Sequence, residues 1–404
     1  MRRALLLTLA LVTAAGLLGW AAWRLARPAP GPRVAAGLSV AEAMAEGGDT
    51  AGYERAFEPR AFTFPADHGA HPDFRTEWWY VTGHLESAEG RLFGFQLTFF
   101  RNALAPASPD EPERSSAWAT RQVYLAHFAL TDVGGGRFFA FERLARGAAG
   151  LAGATSSEAG PPAGGPYRVW LQDWSLQGAV PGGFLPMELA AAAETEDGTE
   201  IALELRLDSE KPPVLQGDRG LSQKGPEPGN ASYYYSLTRL SAAGDVRLGG
   251  ERLAVTGGAW LDREWSTSAL GAGEVGWDWF SLQLDDGREL MLYQIRREGG
   301  GASPLSKGKL VLPSGEARTI PWSEIELGPT GRWRSPETGA VYPSGWRLTI
   351  PSEGLDLVLR PVLLDQELVL SFQYWEGAVT VETARPEGGP SGRGYVELTG
   401  YGER

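Results

Sequence analysis

From Thr76 to Thr399 apolar and polar positions alternate with a period of two, interrupted by Gly, Pro, Asn and Asp clusters, and the pattern predicts strands rather than helices. In the first half the clearest runs are Thr76 to Glu86, Arg91 to Arg101, Gln122 to Thr131, Arg137 to Arg143, Ile201 to Leu207 and Ser232 to Leu240. In the second half they are Leu253 to Leu261, Gly276 to Leu284, Glu289 to Arg296, Leu368 to Trp375, Val379 to Thr383 and Gly394 to Thr399. The stretch FRTEWWYVTGHLE departs from a simple wet-face, dry-face strand. Alternation puts Glu77, Trp79 and Val81 on one side and Trp78, Tyr80 and Thr82 on the other. A strand aromatic on both faces implies a core on one side and an aromatic-lined cavity on the other.

The strands also repeat. WWYVTGHLESAEGRLFGFQLTFFR and WDWFSLQLDDGRELMLYQIRR share an order: aromatic strand, acidic-Gly-Arg turn, then an apolar strand ending in Arg. Their separation is close to half of the chain beyond the N-terminus, so the fold class is all-β with two related antiparallel barrels in succession. The expected organisation is an N-terminal anchor or signal over 1–30, a linker with a short helix opening at Ser39 over 31–60, a first barrel over 61–245 and a second over 246–404. Closed barrels would also leave no free sheet edges.

Composition narrows the class. The 404 residues exceed one ordinary core, and 54 glycines with 28 prolines suit a turn-rich β protein. A net charge of −13 argues against a nucleic-acid surface. The absence of cysteine excludes disulfides and thiolate chemistry. Ala4 to Trp23 is uncharged and mostly apolar, follows Arg2 and Arg3, and is long enough for a hydrocarbon core of ~30 Å. The expectation is a transmembrane helix that anchors a periplasmic protein to the inner membrane, or a cleaved signal that leaves it secreted.

The densest chemical cluster is GGAWLDREWSTSALGAGEVGWDWFSLQLDDG. Trp260, Asp262 and Glu264 share one face, with Arg263 and Trp265 on the opposite one. A carboxyl pressed against indoles loses hydration, so its pKa rises toward the range of a useful proton donor. Indole faces stabilise a cation by ~0.5–2 kcal/mol each. The candidate catalytic groups are therefore Asp262 and Glu264, and the candidate ligand-binding groups Glu77, Trp78, Trp79, Tyr80, Trp260, Trp265, Trp277, Asp278 and Trp279. The same residues also suit an ion-pair network that pins a barrel mouth between packing tryptophans. Glu77 reads as the first domain's counterpart of Asp278, held by Arg75 or Arg91. His68 and His71 lie in a Pro/Gly loop with no second ligand pair of the HExxH kind, so neither metal nor cofactor is expected. No GxSxG occurs and no histidine follows His127, which argues against a serine hydrolase. Lys211 to Leu240 reads as a domain-closing connection, with a lid over a cavity as the alternative.

Together FPADHGAHPDFRTEWWYVTGHL, AHFALTD, KPPVLQG, SYYYSLTRL, GGAWLDREWS, WDWFSLQLDDGRELMLYQIR and GRGYVELTGY resemble the AttH-like and carotenoid 1,2-hydratase (hydroxyneurosporene synthase) family over about residues 55 to 402. The resemblance implies two consecutive lipocalin-like (calycin) barrels. It further implies either a binding protein for a long hydrophobic ligand, lipid or isoprenoid, associated with an ABC transporter permease, or a lyase that hydrates an isoprenoid double bond. Asp262, Trp265 and Tyr293 match the hydratase branch, which adds Tyr293 to the catalytic candidates. Arg263 and Ile295 stand where that branch carries a histidine and an aspartate, so the resemblance favours the transporter-associated branch.

Overall fold

The computed structural model describes residues 38–39, 50–106, 116–267, 270–271 and 273–402, and within them the chain is almost entirely β. The expected transmembrane run at Ala4–Trp23 and the helix expected to open at Ser39 lie outside the described residues, except that Leu38–Ser39 pairs in parallel with Phe372–Gln373. Among the described residues no helix is long and apolar enough to cross a membrane.

Two large antiparallel sheets account for the fold. The first runs from Arg137–Arg146 through Gln122–Asp132, Leu92–Ala103 and Thr76–Ser87 to Glu251–Ser266, then through Ala231–Leu248, Glu200–Ser209 and Met187–Glu194 to Trp174–Gly178, Arg168–Leu171 and Ala152–Ala154. The second runs from Ala317–Pro321 through Lys307–Val311, Glu289–Arg297 and Glu274–Leu284 to Gly392–Thr399, then through Phe372–Thr383, Leu355–Pro361 and Trp346–Ile350 to Glu326–Pro329. The two paths have the same winding. In each, the first strand of the hairpin singled out in the sequence pairs with the last long strand of its own sheet: Thr76–Ser87 with Glu251–Ser266, and Glu274–Leu284 with Gly392–Thr399.

Two expectations change. Glu251–Ser266, expected to open the second domain, belongs to the first sheet, and the chain passes between sheets after Ser266 rather than between residues 245 and 246. The cause is register: Asp262 lies opposite Tyr80 and Trp265 opposite Glu77, so the strand completes the first sheet. Nor are the sheets closed cylinders; one is nearly closed and the other is a half-barrel. Each ladder stops at the middle of its half, between Arg137–Arg146 and Ala152–Ala154 and between Ala317–Pro321 and Glu326–Pro329. At the second seam a 3-10 turn, Trp322–Glu324, stands where ladder pairing would continue.

Period-two alternation sorts the side chains into three layers. Trp79, Val81, Leu85, Leu261 and Trp265 enter the first core. Phe280, Leu282, Leu292, Trp375, Val396 and Leu398 enter the second. The remaining faces meet in a third cluster that includes Tyr80, Tyr234, Trp260, Trp279, Tyr293 and Ala378. Polar bonds cross this layer: His84 Nε2 lies 2.7 Å from the Gly394 carbonyl, Thr131 Oγ1 donates to Gln366 at 3.0 Å, and Gln283 Nε2 donates to the Thr238 and Ala259 carbonyls at 2.8 and 2.9 Å.

Candidate functional site

The layer between the sheets is not filled solid. A cavity of about 110 Å³ lies within it, several times the ~10–15 Å³ that one water needs. Its apolar walls are Trp78, Phe100, Leu270, Trp277, Trp279 and Ile295, and its polar groups come from both sheets. The Tyr80 and Trp260 rings stand edge-on to Trp279, with centroids 5.1 and 6.3 Å away.

Asp262 sits in the central run of Glu251–Ser266, on the face turned to the cavity. Trp260 Nε1 donates to its Oδ1 at 2.7 Å, Ser236 Oγ donates to the same oxygen, and Tyr234 OH donates to Oδ2. Burial pushes its pKa up to about 7; the three donors oppose that rise and the neighbouring Glu264 charge adds to it. Tyr234 OH also accepts from Trp279 Nε1 at 3.2 Å, which couples Asp262 to the second sheet. Glu264 is held by Ser232 and by Lys224, whose Nζ lies 2.7 Å from Oε1. Burial disfavours the Lys224 ammonium, yet the charge and hydrogen bond of Glu264 together with Tyr293 and the Asp262 charge outweigh it and leave the Lys224 pKa above its ordinary value. Its Nζ stands 5.2 and 5.1 Å from the Tyr234 and Tyr293 ring centroids.

The second sheet contributes Glu376 and Glu397. Burial lifts Glu397 to about 8, with the Asp262 and Glu264 charges adding and Trp277 and Lys224 opposing. Burial and the Glu397 charge together hold Glu376 well above the carboxylate range, although Tyr80 OH donates to it at 2.6 Å. Tyr374 OH reaches His127 Nδ1 at 2.7 Å and accepts from Gln96 Nε2 at 3.1 Å.

Asp262, Glu264, Tyr293, Trp78, Tyr80, Trp277 and Trp279 therefore meet around one cavity, and Trp260 backs it through Asp262. Glu77, Trp79, Trp265 and Asp278 do not line it, because they occupy the opposite faces of the same strands. Glu77 is wholly buried among Arg101, Arg263 and the His71 backbone NH, not held by Arg75 or Arg91; Arg263 reaches its Oε2 at 2.6 Å. Arg263 also stacks on Trp79 at 3.7 Å. Asp278 is tied to Arg296 at 3.0 Å and to Tyr401 at 2.9 Å. The counterpart reading has this much geometry behind it: each carboxylate meets an arginine of the next strand. His68 and His71 are engaged by Tyr235 and Asp67.

Sequence reading missed Tyr234, Lys224, Glu376 and Glu397. The signal for the two glutamates was present: in FQYWEGAVTV and GYVELTGY each is a charged residue inside an otherwise apolar strand. Lys224 lies in the loop part of the Lys211 to Leu240 segment, from which it reaches the cavity wall and pairs with Glu264.

Two barrel-like antiparallel sheets of the same winding, with a carboxyl-bearing cavity in the layer between them, define a double lipocalin-like protein. The chain belongs to the AttH-like family, whose model matches residues 55–401. It is similar to a solved AttH protein of Nitrosomonas europaea, at 37% identity and a TM-score of 0.73, over 87% of this chain and 100% of that one. It also shares its fold with kievitone hydratase of Nectria haematococca, at 15% identity and a TM-score of 0.62, over 86% of this chain and 95% of the other. No curated protein matches the sequence.

Proposed function

We propose that the cavity between the barrels takes a long hydrophobic molecule, a lipid or an isoprenoid, inserted by one end. The observation that carries this reading is the cavity itself. Interiors close-pack, so walls of indole and phenol that stand apart around about 110 Å³, far more than one water needs, are best explained by a guest. In the same reading the barrels lie in the periplasm, held to the inner membrane by Ala4–Trp23 or secreted after its removal. An ABC transporter permease is then the partner that delivers or receives the ligand. Native mass spectrometry with lipid extraction of protein purified from its own membranes tests this: a bound apolar molecule is expected. Protein that carries none, and binds no long-chain probe, defeats the reading.

A second reading, water addition to an isoprenoid double bond, is favoured by one feature. Asp262 is a carboxyl with a pKa of about 7 in an indole-walled cavity. In that chemistry the Asp262 proton goes to one alkene carbon, and the π faces of Trp277 and Trp279 stabilise the cation at the other. Water then attacks the cation and returns a proton to a cavity carboxylate such as Glu264, giving the alcohol; Tyr293, beside Lys224, helps to seat the water. Lycopene or neurosporene incubated with the protein in ¹⁸O-water should yield a labelled alcohol. Asp262→Asn should cut that turnover by ~10²–10⁴-fold while ligand affinity changes little. Absence of label leaves binding as the function.

A further inference from the structure

Glu376 and Glu397 are direct cross-strand partners, both facing the cavity. Like charges directly opposite one another destabilise a ladder, and burial sharpens the penalty. Glu376 is completely buried, and its Oε2 finds no partner among the described residues while Oε1 accepts from Tyr80. On the other wall Lys224 already matches Glu264. Among the described residues four carboxyls, Asp262, Glu264, Glu376 and Glu397, thus share a cavity in which Lys224 is the single cationic lining residue. Much of the remaining wall is the π surface of Trp78, Trp277, Trp279 and Tyr293. Carboxylates and aromatic faces are the two kinds of group that attract an organic cation out of water.

Resting on the reading that the cavity takes an apolar chain, we infer that the guest carries positive charge at its inserted end: an alkylammonium whose head lies between the Glu376–Glu397 pair and the indoles. In the free protein the pair escapes its own repulsion by keeping a proton, in line with the raised pKa of both groups. The ammonium head supplies the missing positive charge, so its binding expels that proton. A neutral or anionic chain of the same length has no such partner and meets an unpartnered carboxyl oxygen.

The experiment is calorimetric titration of the full-length protein in lipid nanodiscs, with empty nanodiscs as blank, using octyltrimethylammonium, 1-octanol and octanoate. Octyltrimethylammonium should bind at least tenfold more tightly than octanol at pH 8. Its affinity should fall by about tenfold per pH unit below 7, as expected for release of one proton. Buffers of different ionisation enthalpy should register that proton. Glu376→Gln, checked for folding by its thermal transition, should narrow the ammonium-to-octanol ratio to below threefold. Octanol binding as tightly as the ammonium at every pH overturns the charge assignment and leaves the apolar reading intact. Failure of all three probes removes both. A ratio unchanged in Glu376→Gln overturns the role of the pair.

Discussion

At the scale of single residues, the cavity holds carboxyls that folding makes harder to ionise, and this fixes how stability responds to pH. Glu397 has a folded pKa of about 8 against an ordinary 4.5. Below pH 4.5 it is protonated in both the folded and the unfolded chain and has no effect. As pH rises from 4.5 the unfolded chain releases its proton first, and the folded state loses relative stability until about pH 8, at ~1.4 kcal/mol per pH unit for a whole proton. Glu397→Gln should therefore stabilise the protein at pH 8 relative to pH 5, on the order of 2–4 kcal/mol against the parent, in urea unfolding at the two pH values. Equal responses of parent and variant would show that Glu397 ionises normally. Both this carboxyl and Glu376 are readable as charged residues in apolar strands, but their pairing is not. Glu376 and Glu397 are neighbours through a strand register that residue types alone do not specify.

At the scale of the strand, alternation carried most of what the sequence could say. The two aromatic faces of Thr76–Ser87 divide as expected, Trp79 and Val81 into the first core, Trp78 and Tyr80 toward the second sheet. Alternation also separated Asp262 and Glu264 from Arg263. What it does not assign is which face is core and which is cavity: Glu77, Trp79, Trp265 and Asp278 carry the same residue types as the site and turn away from it. The distinction has an energetic consequence. Arg101 and Arg263 hold the Glu77 carboxyl below the usual carboxylate range against strong desolvation. Glu77→Gln leaves two buried guanidinium groups with no countercharge, and breaking such a network costs about 3–5 kcal/mol. Chemical denaturation should register that loss, while octyltrimethylammonium affinity at a temperature where the variant is folded should shift less than twofold. A large loss of affinity would place Glu77 in the ligand site after all.

At the scale of the whole molecule, the repeat seen in the acidic-Gly-Arg hairpins corresponds to two sheets of one winding, yet the boundary between them lay hidden. The strand Glu251–Ser266 looks like the start of something new because its tryptophans and acids resemble those of Glu274–Leu284, whereas hydrogen bonding makes it the partner of Thr76–Ser87. The two sheets pack tightly at Gly94, where an added Cβ would lie 2.7 Å from the Ala378 methyl. Around that point the sheets exchange the His84–Gly394, Tyr80–Glu376 and Thr131–Gln366 bonds. These ties bury polar groups that neither sheet satisfies alone, so the two sheets should unfold together in one calorimetric transition. Gly94→Val inserts branched carbon into a contact with no room for it, and the sheets must separate or the Leu92–Ala103 strand must shift. The expected result is a thermal profile that divides into two transitions, together with weaker octyltrimethylammonium binding, because the cavity walls come from both sheets. A Gly94→Val protein that keeps a single transition and full affinity would mean that the barrels are not coupled through this contact.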